Sequence, residues 1–406
     1  MSQSIESSIR RKWFTVGVAI SLSAGTFASP LGTSMDQPWH HDAKGNVVPI
    51  DYALGVDSNE SVNFSGRLKR TPWSGPWWPT RAGSIAIRWQ TSLYWNSART
   101  AKFWPDADRS DVMTYRPYSA DELADMTEEE IGEKLSAVEK LDVIAGRADA
   151  VALGSVVGKN GYYANLAEVR RWSQDLIDTD QEEMGFHGLC HGFAHASMWL
   201  PEPARVSIPA TYILSNGQER TINVSFYNGD LKGLASYFYG RRTFHESEYQ
   251  AAFIGSNNRG MNPAALHLLL TNLVWKSSVG FVTDIYAGDQ IWNYPVIAFR
   301  TTTYQTRRSL PSDAASSAVK QIEVVTDVDF QKETNPKMNP EPGRVLSRRY
   351  EYYLEIDAKD RIVGGSWLPN SDRPDYSWIL TGKIPFDGDY ARLNQYWSGT
   401  DTPEPI

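Results

Sequence analysis

The run Gly185-Phe186-His187-Gly188-Leu189-Cys190-His191-Gly192-Phe193-Ala194-His195-Ala196-Ser197-Met198-Trp199 holds the one cysteine of the chain and three of its seven histidines. Gly188 permits a tight turn before Cys190. Ala194 and Met198 follow at four and eight residues, on one helical face. The pattern predicts a turn and then a helix with Cys190 in its first turn, where the helix dipole favours a thiolate and lowers the thiol pKa. Cys190 is therefore the candidate nucleophile, and the competing reading is a buried, inert thiol. His187, His191 and His195 repeat every fourth residue, a spacing that zinc can use. The chain has no His-Glu-x-x-His and no second cysteine, so hydrogen-bonded histidines flanking the nucleophile are the preferred reading.

A cysteine nucleophile needs a proton acceptor and a group that orients it. His191 is adjacent to Cys190 and points to another face. Of His40, His41, His245 and His267, the last stands out in the apolar run Asn262-Pro263-Ala264-Ala265-Leu266-His267-Leu268-Leu269-Leu270. Its alternative is a core histidine bonded to a carbonyl. Asp284 lies 17 residues later, between Thr283 and Ile285 in an expected strand, where a carboxylate is out of place. A strand-turn-strand pair would set His267 beside Asp284, and the order Cys, His, Asp is that of papain-like enzymes. The backbone N–H of Cys190 suits an oxyanion hole, with Gln181 as the side-chain candidate.

The elements that must position these residues leave signals. Ser119 with Glu122 and Thr127 with Glu130 are capping-box spacings. Ile131, Leu135, Val138, Leu141 and Ile144 then predict one amphipathic helix, and Leu166, Val169, Trp172 and Leu176 a second. Asn216-Gly217 between 211–215 and 221–226 predicts a hairpin. Pro263 suits the first position of a helix, yet 264–275 also fits a buried strand. Residues 280–286 read as a strand, as do 84–89. Residues 305–346 read as a linker with one strand, 321–330. Residues 350–356 and 362–367 form a further hairpin around a turn at 357–360. Residues 71–79, rich in Pro and Trp, read as a loop clamped by aromatics.

The 406 residues suffice for two or three domains, and 41% apolar composition supports a sizeable core. A net charge of -8 excludes the basic footprint of a nucleic-acid binder. Arg10, Arg11 and Lys12 precede about 16 uncharged residues ending at Thr26-Phe27-Ala28, the pattern of a secretory signal cleaved after Ala28. With one cysteine, no disulfide can form within the chain.

The stretch Gln290-Ile291-Trp292-Asn293-Tyr294-Pro295-Val296-Ile297-Ala298-Phe299-Arg300 resembles the elicitor epitope of the secreted oomycete transglutaminases, which have relatives in marine bacteria. Trp292, Asn293, Pro295, Val296, Phe299 and Arg300 fit the pattern, while Ile291 and Tyr294 depart from it. The blocks 188–192 and 262–267 and the hairpin 352–367 are similar too. The resemblance implies a calcium-dependent protein-glutamine gamma-glutamyltransferase with Cys190, His267 and Asp284 as its catalytic residues. Trp292, Asn293 and Trp199 are then expected to contact substrate, and Trp275 to help wall the site. The substrates would be proteins bearing glutamine and lysine. It favours a strand over 266–275. It supplies no calcium ligands, and no EF-hand pattern is present.

The expectation is an α+β fold with a papain-like cysteine-protease-type catalytic core. Residues 1–28 are the signal peptide, and 29–118 an irregular N-terminal region or prosegment. Residues 119–310 hold a helical lead-in and the catalytic core, and 311–406 a C-terminal β-rich region with its hairpin. The competing functions are a secreted cysteine peptidase on the same core and a non-enzymatic surface-binding or elicitor protein.

Overall fold

Ser119, Thr127 and Ser136 each accept a hydrogen bond from the backbone three residues on, while Glu122, Glu130 and Glu139 reach back to complete three capping boxes. They start α1 (Ala120–Ala124), α2 (Glu128–Lys134) and α3 (Ala137–Ile144). The single helix expected over 131–144 is thus two. Leu135 is extended, and Ser136 restarts the chain with a box that the apolar periodicity hides. The computed structural model describes residues 40–41, 47–48, 50–53, 63–89, 114–148, 162–179, 187–243, 252–255, 260–285, 290–307, 309–334, 337–340, 343–379 and 383–397. The expected signal peptide, Gln181 and His245 lie outside the described residues.

Helix α4 (Ala164–Thr179) is docked by Asp142 of α3, which accepts from the backbone N–H of Asn165 (3.0 Å) and Leu166 (2.9 Å). Helices α5 (Cys190–Trp199) and α6 (Asn228–Arg242) pack closely. A Cβ at Gly192 would lie 2.0 Å from the Ser236 carbonyl oxygen, so that contact requires glycine. Strands β4 (Val206–Ile213) and β5 (Glu219–Phe226) form the expected hairpin. These helices, the hairpin and residues 384–397 share one apolar core. Lys140 and Asp230 form a fully buried ion pair inside it. Asp230 also accepts from Trp89 Nε1 at 2.7 Å and the Tyr227 N–H at 2.8 Å. Loss of either partner would strand the other charge out of water.

The second layer is an open eight-stranded sheet in which every pairing is antiparallel. Apart from the short pair β1 (His40–His41) and β2 (Val47–Val48), its strands are β3 (Asn63–Arg67), β6 (Ala252–Gly255), β7 (Val282–Asp284), β8 (Asn293–Arg307), β9 (Ala318–Gln331), β10 (Val345–Asp357), β11 (Ile362–Trp367) and β12 (Tyr376–Ile379). The order is β11-β10-β9-β8-β7-β12-β6. Strand β3 pairs with β8 beyond the point where β7 leaves it. The stretch expected as a linker with one strand, 305–346, does carry that strand as β9, a few residues longer than the expected 321–330, and the ends of β8 and β10 take 305–307 and 345–346.

Residues 263–277 are helical, against the strand that the resemblance favoured. Asn262 caps α7 (Pro263–Leu269) by accepting from Ala264 N–H at 2.9 Å, Pro263 sits at its first position, and the turn continues as a π-helix over Leu270–Ser277. This pair of helices covers one face of the sheet and builds the second apolar core. Residues 84–86 form a 3₁₀ turn rather than a strand. The N-terminal region is not peripheral: β3 is a strand of the sheet, and Trp73, Trp78 and Trp89 are buried in the helical core. Among the described residues no helix is long and apolar enough to cross a membrane.

Candidate active site around Cys190

Helix α5 begins at Cys190, as the spacing predicts. The turn before it is held by the Trp73–Pro79 loop. The Leu189 N–H donates to the Trp77 carbonyl at 2.5 Å, and the Thr80 N–H to the His187 carbonyl at 3.0 Å. A Cβ at Gly188 would fall 2.4 Å from that same Trp77 oxygen, so only glycine fits between loop and nucleophile. Strand alternation supplies the opposite wall. Asp284, Asn293 and Tyr376 are register partners across β7, β8 and β12. They share a face with Val282 and Trp378, which cluster with Ala194 of α5.

Cys190 is 7% exposed. Asn293 Nδ2 lies 3.8 Å from Cys190 Sγ, the Ile291 carbonyl oxygen 4.0 Å, and Trp378 Nε1 donates to Asn293 Oδ1 at 2.8 Å. Burial pushes the Cys190 thiol up to about 11, against the Asn293 donors that favour its thiolate, while the charges of Asp284 and Glu333 push it further up. The dipole-lowered thiol expected from sequence is therefore corrected: desolvation outweighs the helix terminus. Asp284 is buried, accepts from the Trp292 N–H at 2.9 Å through Oδ1, and has no hydrogen-bond partner on Oδ2 among the described residues. Burial raises its pKa to about 8, partly opposed by the Trp292 N–H, with Asp375 adding to the rise. Thiol and carboxyl both hold their protons at neutral pH, and the carboxyl releases its proton first.

His267 is elsewhere. Its Nδ1 lies 2.9 Å from Tyr352 Oη, which meets Thr326 Oγ1 at 2.9 Å, in the core between α7 and the sheet. The Thr283 hydroxyl meets that of Ser377 at 2.9 Å, and Ser377 reaches Met261 of the same core, so Thr283 marks that face. Asp284, one residue on, points to the other. The side-by-side strand pairing of His267 with Asp284 does not form, because His267 is on a helix and the sheet separates the two groups. His195 is buried with Nδ1 2.8 Å from Thr243 Oγ1, and His191 Nε2 is 3.1 Å from the Gly240 carbonyl.

Trp292 is half-buried at the site, and its ring meets that of Trp77 edge-on at 6.0 Å between centroids. Trp199 packs beside the Val282–Trp378 cluster. Trp275 is 46% exposed on the π-helix beside β3 and is not part of this wall. Sequence reasoning missed Trp77 and Trp378. The loop run around Trp77 carried an aromatic signal without a location, and Trp378 carried none. Among the described residues no group of three or more His, Cys, Asp or Glu could hold a metal ion, and no step of the proposed reaction uses one.

Residues 183–325 match the profile of the family described as Transglutaminase elicitor, the family that the sequence motifs resemble. The crystal structure of the GP42 transglutaminase from Phytophthora sojae is similar to this chain with a TM-score of 0.44 and 22% identity, over 79% of this chain and 84% of that one. A search of curated proteins found no match.

Proposed function

We propose that the chain is a transglutaminase that transfers the acyl group of a protein-bound glutamine to a lysine amine through a thioester on Cys190. One observation carries the reading: the Asn293 amide lies 3.8 Å from the sulfur at the start of α5, and Asn293 pairs in register with Asp284, a buried carboxyl that titrates near neutral pH. The family match over 183–325 supports it.

Asp284, rather than His267, takes the catalytic proton in this proposal. The Asp284 carboxylate removes the proton from Cys190 Sγ as the sulfur attacks the carboxamide carbon. The carbon–nitrogen bond then breaks, Asp284 returns the proton to the departing nitrogen, and ammonia leaves. The lysine amine attacks the thioester, gives a proton to Asp284, and the sulfur departs as thiolate to be reprotonated. A carboxyl with a pKa near the working pH can serve in both directions. The backbone N–H groups at the start of α5 suit the oxyanion. Substrates are proteins bearing glutamine and lysine, met after export under the signal at 1–28.

The test is incorporation of a fluorescent primary amine into a glutamine-bearing protein, with and without calcium, by wild type and by Cys190→Ala. Incorporation that survives Cys190→Ala removes the proposal, as does backbone cleavage of the glutamine-bearing protein without amine incorporation.

A further inference from the structure

Trp378 lies on β12, beyond the residues that match the family profile. An indole nitrogen can only donate a hydrogen bond. Its 2.8 Å contact with Asn293 therefore fixes the carboxamide oxygen on the Trp378 side. The amide NH₂ is left facing Cys190 Sγ at 3.8 Å, an orientation that an amide without such a neighbour would leave open. The backbone N–H of Asn293 also favours the thiolate. Donors aimed at sulfur favour thiolate; a flipped amide would turn its oxygen to the S–H and favour the thiol. The indole is in no position to follow a flip. It is fully buried, and its strand is paired on both edges, with β7 and with β6.

We propose that Trp378 is a positioning residue that locks the Asn293 amide with its NH₂ toward Cys190, and so sets the nucleophilicity of that sulfur. This rests on the reading of Cys190 as the nucleophile, but it predicts a property of the thiol itself. Among the described residues, the other charged and titratable groups about the sulfur and the indole are Asp284, Tyr294, Glu333, Asp375, Tyr376 and His195. All are retained in the variants below, so their titration is common to every profile.

The test is the second-order rate of Cys190 alkylation by iodoacetamide against pH in the full chain. Trp378→Phe keeps a ring and removes the N–H. Its profile is expected to move to higher pH, with alkylation at pH 8 slowed about threefold to tenfold, the worth of one hydrogen bond to an ionising group. Asn293→Ala should slow alkylation at least as much, and Trp378→Phe should add nothing in that background. If Trp378→Phe does not fold, benzothienylalanine at position 378 keeps the indole shape without the N–H and must give the same slowing. A purely structural Trp378 has the opposite sign, because looser packing exposes the thiol and speeds alkylation. An unchanged or faster profile, or the same slowing when Asn293 is absent, overturns the proposal. Alkylation needs neither a glutamine donor nor an amine, so its outcome is separate from that of the acyl-transfer test.

Discussion

Asp284 and Asn293 stand opposite each other across the β7–β8 pair, and both serve the surroundings of one sulfur. Their neighbours Thr283 and Tyr294, also opposite each other, face the second core. A one-residue slip of β7 against β8 would put Thr283 opposite Asn293 and turn Asp284 toward the second core. The bond from the Trp292 N–H to Asp284 ties that register to the strand end that carries the epitope-like sequence.

Asp284→Asn is expected to lower the rate of amine incorporation by about 10²- to 10⁴-fold, the usual worth of a general acid–base group. Stability should move the other way at alkaline pH. The folded Asp284 keeps its proton from the ordinary carboxyl value of about 3.8 up to about 8, whereas the unfolded chain releases it. The folded state thus binds more protons in that window, and wild-type stability falls as pH rises through it. Asn cannot ionise, so the melting temperature of Asp284→Asn should gain on that of wild type between pH 5 and 8.5. Equal pH slopes for the two proteins would show that this carboxyl is not perturbed.

Cys190 should be a slow thiol at rest. With a pKa near 11 it is almost wholly protonated at pH 7.5, so alkylation should lag behind that of a free cysteine and rise steadily to about pH 10. A plateau below pH 8 would show a thiolate stabilised beyond what Asn293 provides. Cys190→Ala should fold normally and incorporate no amine.

His267→Gln separates the structure from the sequence expectation. Loss of the contact to Tyr352 in a buried site should cost about 1–3 kcal/mol of stability. The incorporation rate per folded molecule should stay within a few-fold of wild type. A loss near 10³-fold at unchanged stability would restore His267 to the chemistry.

What the sequence made legible was local. Gly188 before Cys190 marks the turn and the helix start, the Ser/Thr–Glu boxes mark α1 and α2, and Asn216-Gly217 marks the β4–β5 hairpin. The epitope-like run located Trp292 and Asn293, which do lie at the site. The partner of the thiol was not legible, because Asp284 and His267 look equally unusual in their apolar runs. Only the pleat tells which side of the sheet each occupies. Pro263 favoured a helix there, and the family analogy overrode that local signal. Trp378 and Trp77 were invisible as site residues, since each arrives by pairing or looping across more than 80 residues (378 − 293 and 190 − 77). The thiol's raised pKa could not be read either, because a helix terminus is visible in sequence and the depth of burial is not.

The last prediction concerns the competition between water and amine for the thioester. Trp292 hangs from the strand end beside Asp284, and Trp77 meets it edge-on from the loop that braces Leu189. The two rings come from separate parts of the chain and form one aromatic wall by the Cys190 turn. Such a wall holds the aliphatic stem of an amine and limits the approach of water. Trp292→Ala and Trp77→Ala should each shift products from isopeptide toward deamidated glutamate. The double variant should do little more than either single one, because one ring without the other no longer closes the wall. Mass spectrometry of one glutamine peptide with a lysine-mimicking amine reads the ratio directly. An unchanged ratio in Trp77→Ala would confine the wall to Trp292 and reduce the N-terminal loop to a brace for the Cys190 turn. Unchanged ratios in both variants would place the acceptor on another side of the sulfur.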